Sequence, residues 1–393
     1  MRSSSRAGTA EAQGGPPLET DDLSEDGATT DVGVGHLKMA VTGDSSTVQQ
    51  RAGEQMGSAA PLTRFTLGWL GLVAPVALSA QSAAGSVLQP VADVPLPGGT
   101  GRFDYQSLDP KSGRLYIAHM GAGRLLVFDT RRDSVVASVP GFPGVTGVLA
   151  VPAQNRVYAS VTGRHELAVL DPTTLKVQAR VGGIRFPDGI AYAAEAGKLF
   201  VSDEFGRRDV AVDAASGRKL GEVPLGGEAG NTQYDSVSKR IWVAVQTKNQ
   251  LVAIDPASDR VVGRYDLAGA DHPHGLFLDI AHRLAFVACE GNARLLVVDL
   301  TTMRVTASHR VGDDPDVLAF DPGLQRLYVA SESGVVTVFR EDGRKLQLLG
   351  AYQAPAAHSV AVDPVTHRVY LPLRNVAGKP VLRILSPPME QTQ

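Results

Sequence analysis

The sequence predicts an all-β fold, a seven-bladed β-propeller of four-stranded blades, and three observations carry that expectation. A short apolar phrase with an aromatic centre recurs seven times. Each recurrence belongs to four strand-like runs split by turn residues. A run left over near the amino-terminal end resembles the strand that the last repeat lacks. Composition agrees: 42 Gly and 24 Pro suit many tight turns, while 1 Cys excludes a disulfide scaffold and a Cys-rich zinc module. The chain of 393 residues is 43% hydrophobic, enough for a sizeable core. It carries 38 Lys+Arg and 41 Asp+Glu; the first 80 residues hold 5 and 9 of these, leaving 33 and 32 for the rest. A body so near neutrality gives no bulk electrostatic case for nucleic acid or an anionic membrane.

Taken in chain order, residues 1–60 are Gly, Ser, Ala, Thr, Asp and Glu with almost no periodic apolar signal. Such a segment cannot bury enough surface to offset the entropy of ordering it, so disorder is expected. Within 61–84, Arg64 precedes the apolar run Phe65–Leu78, and small residues follow. That pattern is a secretory signal peptide, and the run is short for a membrane span. Met56 stands just upstream, so translation from Met56 is expected, with residues 1–55 arising from a start placed too early. The other reading is a disordered arm ahead of an uncleaved anchor, the one case that would put the protein on a membrane. Export predicts a periplasmic or secreted location.

The repeats begin with Arg114-Leu-Tyr-Ile-Ala118 and end with Arg368-Val-Tyr-Leu-Pro372. Their aromatic anchors are Tyr116, Tyr158, Phe200, Trp242, Phe286, Tyr328 and Tyr370, separated by 42, 42, 42, 44, 42 and 42 residues. Thirteen residues after each of the first five anchors comes Asp129, Asp171, Asp213, Asp255 or Asp299. Asp-Pro turns precede several anchors, as at Asp109-Pro110, Asp321-Pro322 and Asp363-Pro364. The seventh repeat stops one strand short, and the run Val87–Gly98 resembles the fourth runs elsewhere. That amino-terminal strand therefore completes the last blade and closes the ring, over a domain spanning 87–386.

These phrases, with Asp-Pro turns before and after the aromatic anchor, resemble the YVTN repeat family of seven-bladed propellers, and within it the exported YncE-like proteins. The resemblance covers all seven blades. It implies the fold and leaves activity open, because its phrases are framework turns and related propellers include binding proteins, lactonases and lyases. Ala193–Gly197 in blade three and Arg340–Gly343 in blade six depart from the pattern, which alters local detail only.

Twelve residues before each anchor the chain enters the innermost strand beside the central channel. The residues there are Asp104, Thr146, Asp188, Gly230 (beside Asn231), His274, Asp316 and His358, none of them hydrophobic. Blades five, six, seven and one are consecutive, so His274, Asp316, His358 and Asp104 form an arc of two imidazoles and two carboxylates. That donor set suits Zn, Mn or Fe. The loops after the second strands add His119, Arg164, His165, Glu204, Glu290, Asn292 and Glu332 on the same face, and His272 is a further ligand or supporting partner.

Solvated structural Asp residues at ordinary turns would give the same line of polar positions, so a bound metal, a metal-free site for a polar small molecule, and no site all stand open. His165, His282, His309 and His367 read as surface residues, Cys289 as a packed thiol and the aromatic anchors as core. No nucleophile elbow, haem-attachment motif, P-loop or basic aromatic stripe is present. The expected function is a monomeric binding module holding a metal ion or polar ligand, or docking a partner protein. A metal-assisted lyase or lactonase-type hydrolase is the alternative, drawing on His274, His358, Asp188 and Glu290 as ligand, base or polarising groups. A purely structural surface protein is the third.

Overall fold

A computed structural model describes residues 86–388. The expected amino-terminal extension and signal segment lie outside the described residues. No helix among the described residues is long and apolar enough to cross a membrane.

Seven antiparallel sheets of four strands follow one another, each in the spatial order of the chain except the last. In that sheet Gln89–Pro95 pairs with the carboxy-terminal strand Lys379–Ser386, from Gln89 opposite Ser386 to Pro95 opposite Val381. The ring is thus closed by the first of the described strands, as the orphan run predicts. Asp93 and Arg383 add an ion pair across this closure at 2.6 Å.

The aromatic anchors sit on second strands and pack between blades, all at most 4% exposed. Seven hydrophobic clusters fill the seven seams. Tyr116 and Val157 belong to the seam between blades one and two, and Tyr370 and Leu115 to that between blades seven and one. Each blade buries both faces, which is why second and third strands read as continuous apolar runs such as Leu125-Leu-Val-Phe128. Cys289 is one of these packed residues; burial pushes its thiol up to about 12.

The inner strands carry the feature that positions a site. In blades two to six, pairing with the second strand skips two residues: 146–147, 188–189, 230–231, 274–275 and 316–317. These are β-bulges, which bend a strand and re-aim its side chains. In blades one and seven the inner strands begin only at Gln106 and Ala361, so Asp104 and His358 stand just ahead of them. In blades two to five the glycine of the bulge also brings neighbouring blades into close contact. A Cβ added at Gly147 would collide with the Asp188 carbonyl oxygen, and one at Gly275 with that of Asp316. Only glycine permits that approach.

Candidate metal and ligand site

Thr146, Asp188, His274 and Asp316 from the bulges converge with Asp104 on a cavity of about 280 Å³ at one end of the channel. It is lined by Asp104, Thr146, Asp188, Glu204, His274, Glu290, Asp316 and Glu332, with Arg102, Tyr105, Met120 and Phe186. His358 reaches the same group through its contacts with Asp104, Asp316 and Glu332.

Two layers build the wall. The upper comes from the loops after second strands, where the residue four past the anchor is Glu204, Glu290 or Glu332. The lower comes from the strand entries. His274 lies between them. Its Nε2 is 3.5 Å from Asp188 Oδ2 and 3.5 Å from Asp316 Oδ1, its Nδ1 is 3.7 Å from Glu290 Oε1, and Tyr105 Oη stands 3.3 Å from Nε2. Asp188 Oδ2 and Asp316 Oδ1 are buried and accept no hydrogen bond.

His358 is held differently. Its Nε2 lies 3.2 Å from Asp104 Oδ1 and 3.1 Å from Asp316 Oδ2, and its Nδ1 3.1 Å from Glu332 Oε1. Arg102 joins this half, with Nη1 2.7 Å from Glu332 Oε1, Nε 3.6 Å from Asp104 Oδ2 and Nη2 3.1 Å from His358 Nε2. Asp316 therefore turns one oxygen to each imidazole. Donor atoms of His274, Glu290 and Asp316 lie within 4.8 Å of one another, as do those of Asp316, Glu332 and His358. Both groups could hold a metal ion.

The electrostatics follow from six carboxylates facing Arg102 and two imidazoles. Burial opposes an imidazolium at His274, yet Asp316, Asp188 and Glu290 outweigh it and raise the group well above its ordinary value. Burial likewise opposes charge on His358, which Asp316 and Asp104 hold up at about 10. Contact with His358, reinforced by Arg102, draws Glu332 down to about 2 despite its burial. Burial raises Asp188 and Glu290, and with help from Asp188 pushes Glu204 up to about 7. The anions outnumber the cations, and the surplus lies on the His274 side.

Several sequence candidates fall elsewhere. His119 is fully buried, stacked on Phe103 with ring centroids 4.0 Å apart and bonded to the Pro97 carbonyl at 3.1 Å. It sits three residues past its anchor, where Glu204, Glu290 and Glu332 sit four past theirs. With side chains alternating along a strand, that single step turns it from the channel into the blade. His272 is half exposed, 2.9 Å from Asp271, and outside the cavity lining. Asn231 lines a neighbouring cavity of about 180 Å³ with Gly189 and Thr232. Thr146 lines the wall but gives its hydroxyl to the Pro187 carbonyl at 2.8 Å, tying blade two to blade three. His165 contacts the Arg185 carbonyl and Asn292 donates to that of Gly269, so neither serves the site. His282 and His367, read as surface residues, each contact a buried Asp at 2.8 Å.

Arg102 and Tyr105 were invisible to a reading confined to one register. They flank Asp104 in Arg102-Phe-Asp-Tyr105, two residues before it and one after, at positions where no other repeat carries an Arg or a Tyr.

No family model matches the chain. Two curated proteins, each described as uncharacterized protein YncE, from Salmonella typhi and Salmonella typhimurium, are 29% identical over 96 residues. The match takes in 24% of this chain and 27% of each relative, so the chain spans about a quarter of their length. Among solved structures, a chain of the Kuenenia stuttgartiensis hydrazine synthase superposes with a TM-score of 0.61 at 14% identity, over 76% of this chain and 98% of that one. That likeness shows the fold alone: this chain is a seven-bladed β-propeller with weak, local similarity to YncE.

Proposed function

We propose that the protein is a binding module whose channel mouth holds one divalent transition-metal ion (Zn, Mn or Fe) through His274, Glu290 and Asp316, with Asp188 beside them. The observation that carries the reading is the spacing around His274. Its carboxylate neighbours at 3.5–3.7 Å are too distant for good hydrogen bonds. One donor atom from each of His274, Glu290 and Asp316 lies within 4.8 Å of the others, a span that one ion can draw together, and the 3.5 Å from Nε2 to the Asp188 and Asp316 oxygens is near the roughly 3.4 Å between donors around a tetrahedral ion with bonds near 2.1 Å. The buried Asp188 Oδ2 and Asp316 Oδ1, which accept no hydrogen bond, support it, since a buried carboxylate oxygen favours a partner and an ion would supply one. The His358 half fits hydrogen-bonded ion pairs instead, because Arg102 already offsets Asp104 and Glu332. The four-residue arc of Asp104, His274, Asp316 and His358 is thereby narrowed to one imidazole.

An ion so held at a cavity mouth leaves coordination positions for water, a small polar ligand or a side chain of a partner protein. Membership of the YVTN-repeat, YncE-like propellers is part of this proposal, supported by the repeat phrases and the local similarity to YncE. So is export to the periplasm or beyond as a monomer, supported by the apolar run Phe65–Leu78. The domain limits read from the sequence, with the propeller at 87–386, belong to the proposal too. Elemental analysis of native protein, wild type against His274→Ala plus His358→Ala, tests the metal: the double variant should lose one ion per chain, and unchanged stoichiometry would refute the site.

A second reading, metal-assisted hydrolysis or lyase chemistry, draws support from Glu204. This carboxylate lines the cavity, belongs to neither ligand group and titrates at about 7, suited to a general base near neutral pH. Glu204→Gln separates the readings, since it should leave ion binding intact and abolish turnover if turnover exists.

A further inference from the structure

Blade six breaks the turn chemistry of its neighbours, and the break buries a carboxylate against a second one in the adjacent blade. Thirteen residues past the anchor, the first five blades have an Asp that serves its own turn, as Asp129 accepts the Arg131 N–H at 2.9 Å and Asp299 that of Thr301 at 2.7 Å. In blade six this position is Glu341. The strand there continues through Val335–Asp342 and reverses at Gly343-Arg344, both with positive φ (52° and 76°), before Lys345–Gln353. Two left-handed residues make the tight hairpin that matches strand twist. Glu341 is thus a strand residue rather than a turn residue. It is 4% exposed, and both carboxylate oxygens are buried without a hydrogen-bond partner.

Facing it is Asp279 of blade five, also buried. The molecule supplies its own comparison. The equivalent Asp235 in blade four meets Arg283 of the next blade at 2.7 and 2.8 Å, and Asp321 in blade six meets His367 of the next blade at 2.8 Å. Those bases stand three residues before their anchors, and in blade six that position is the neutral Gln325. Asp279 therefore meets an acid, Glu341, and the imidazole of His282 from its own turn. His282 Nδ1 is 2.8 Å from Asp279 Oδ2 and 3.1 Å from Glu341 Oε1. Arg344, which also acts on this group, has its guanidinium 2.9 Å from Asp299. One imidazole proton cannot satisfy two carboxylates, and burying the surplus charge is costly.

We propose that Asp279, His282 and Glu341 form a second metal site, on the face opposite the channel mouth, which holds a zinc-type divalent ion and clips blade five to blade six. The three donor atoms already lie within 4.8 Å of one another. An imidazole with two carboxylates is a donor set for such ions, and the partly exposed His282 leaves a position open to water. The competing occupant is a proton shared between the two carboxyl groups, because burial and Asp279 push Glu341 up to about 7.

The experiment uses the His274→Ala plus His358→Ala protein, so that the channel site does not contribute. After chelation, the protein is titrated with zinc chloride and followed by equilibrium dialysis and thermal unfolding. The expected result is one zinc per chain and a Tm raised by several degrees at saturation. Glu341→Gln, which keeps the side-chain volume, should abolish both effects, and His282→Ala should weaken zinc binding at least tenfold without the burden of a buried change. No zinc bound in the double variant would overturn the proposal and assign the pair to a shared proton. Zinc bound equally by Glu341→Gln would overturn it as well. Either failure leaves the channel site untouched, because that site is read from a different stoichiometry.

Discussion

Replacing Asp209 by Asn isolates the cost of one buried carboxylate in the ring. Asp209 lies on the third strand of blade three and is fully buried. Its Oδ2 accepts a 3.0 Å hydrogen bond from Thr232 on the inner strand of blade four, and its Oδ1 has no partner. Burial pushes its carboxyl from 3.8 up to about 7, with Asp203 adding to the effect and Thr232 opposing it. The sign follows from the raised value. Below the unfolded value both states are protonated and the fold has its full stability. As pH rises the unfolded chain ionises first, so stability falls until the folded carboxyl ionises near 7. At about 1.4 kcal/mol per pH unit the total is about 4 kcal/mol, of which about 3 falls between roughly pH 4.5 and pH 8. Asn carries no charge at either pH and can still accept from Thr232. Urea unfolding of both proteins across this range should show Asp209→Asn gaining about 3 kcal/mol relative to wild type, or about 1 M in midpoint. A wild-type-minus-variant difference that stays constant with pH would refute the reasoning.

Three further outcomes follow from the geometry. Gly275→Ala drives a Cβ into the Asp316 carbonyl and should cost about 2 kcal/mol or more in chemical denaturation and lower ion binding, whereas Gly221→Ala, whose Cβ would meet nothing, should change stability by under about 0.5 kcal/mol. His119→Ala should lose about 2–5 kcal/mol of stability yet leave bound-ion stoichiometry unchanged; loss of the ion would return His119 to the site. A chain beginning at Gly98 lacks the strand that pairs with Lys379–Ser386, and should lose its cooperative thermal transition and aggregate through the bared edge; an unaltered transition would contradict closure by that strand.

The ring was legible because every seam needs the same aromatic anchor, and a packing requirement repeated seven times leaves a 42-residue period in the chain. Strand entries were legible for a similar reason: the channel keeps position twelve before each anchor polar, and the bulges aim those residues inward. What failed was orientation at single-residue resolution. His119 has the right residue type on the right loop, but one step along a strand turns it into the blade. The choice between two imidazoles was also hidden. It depends on Arg102, whose ion pairs relieve the His358 half and whose position carries no shared residue type in the other repeats. The irregular turn of blade six looked like a local variation. Its consequence, a buried Glu341 facing Asp279, appears only when adjacent blades are placed side by side.

The most direct measurement is an anomalous-scattering map from crystals grown with zinc and collected at its absorption edge. One peak is expected in the channel mouth, at about 2.0–2.2 Å from an imidazole nitrogen of His274 and from carboxylate oxygens of Glu290 and Asp316. A channel that shows no peak, or a peak bound by His358 and Glu332 with His274 left out, would contradict it.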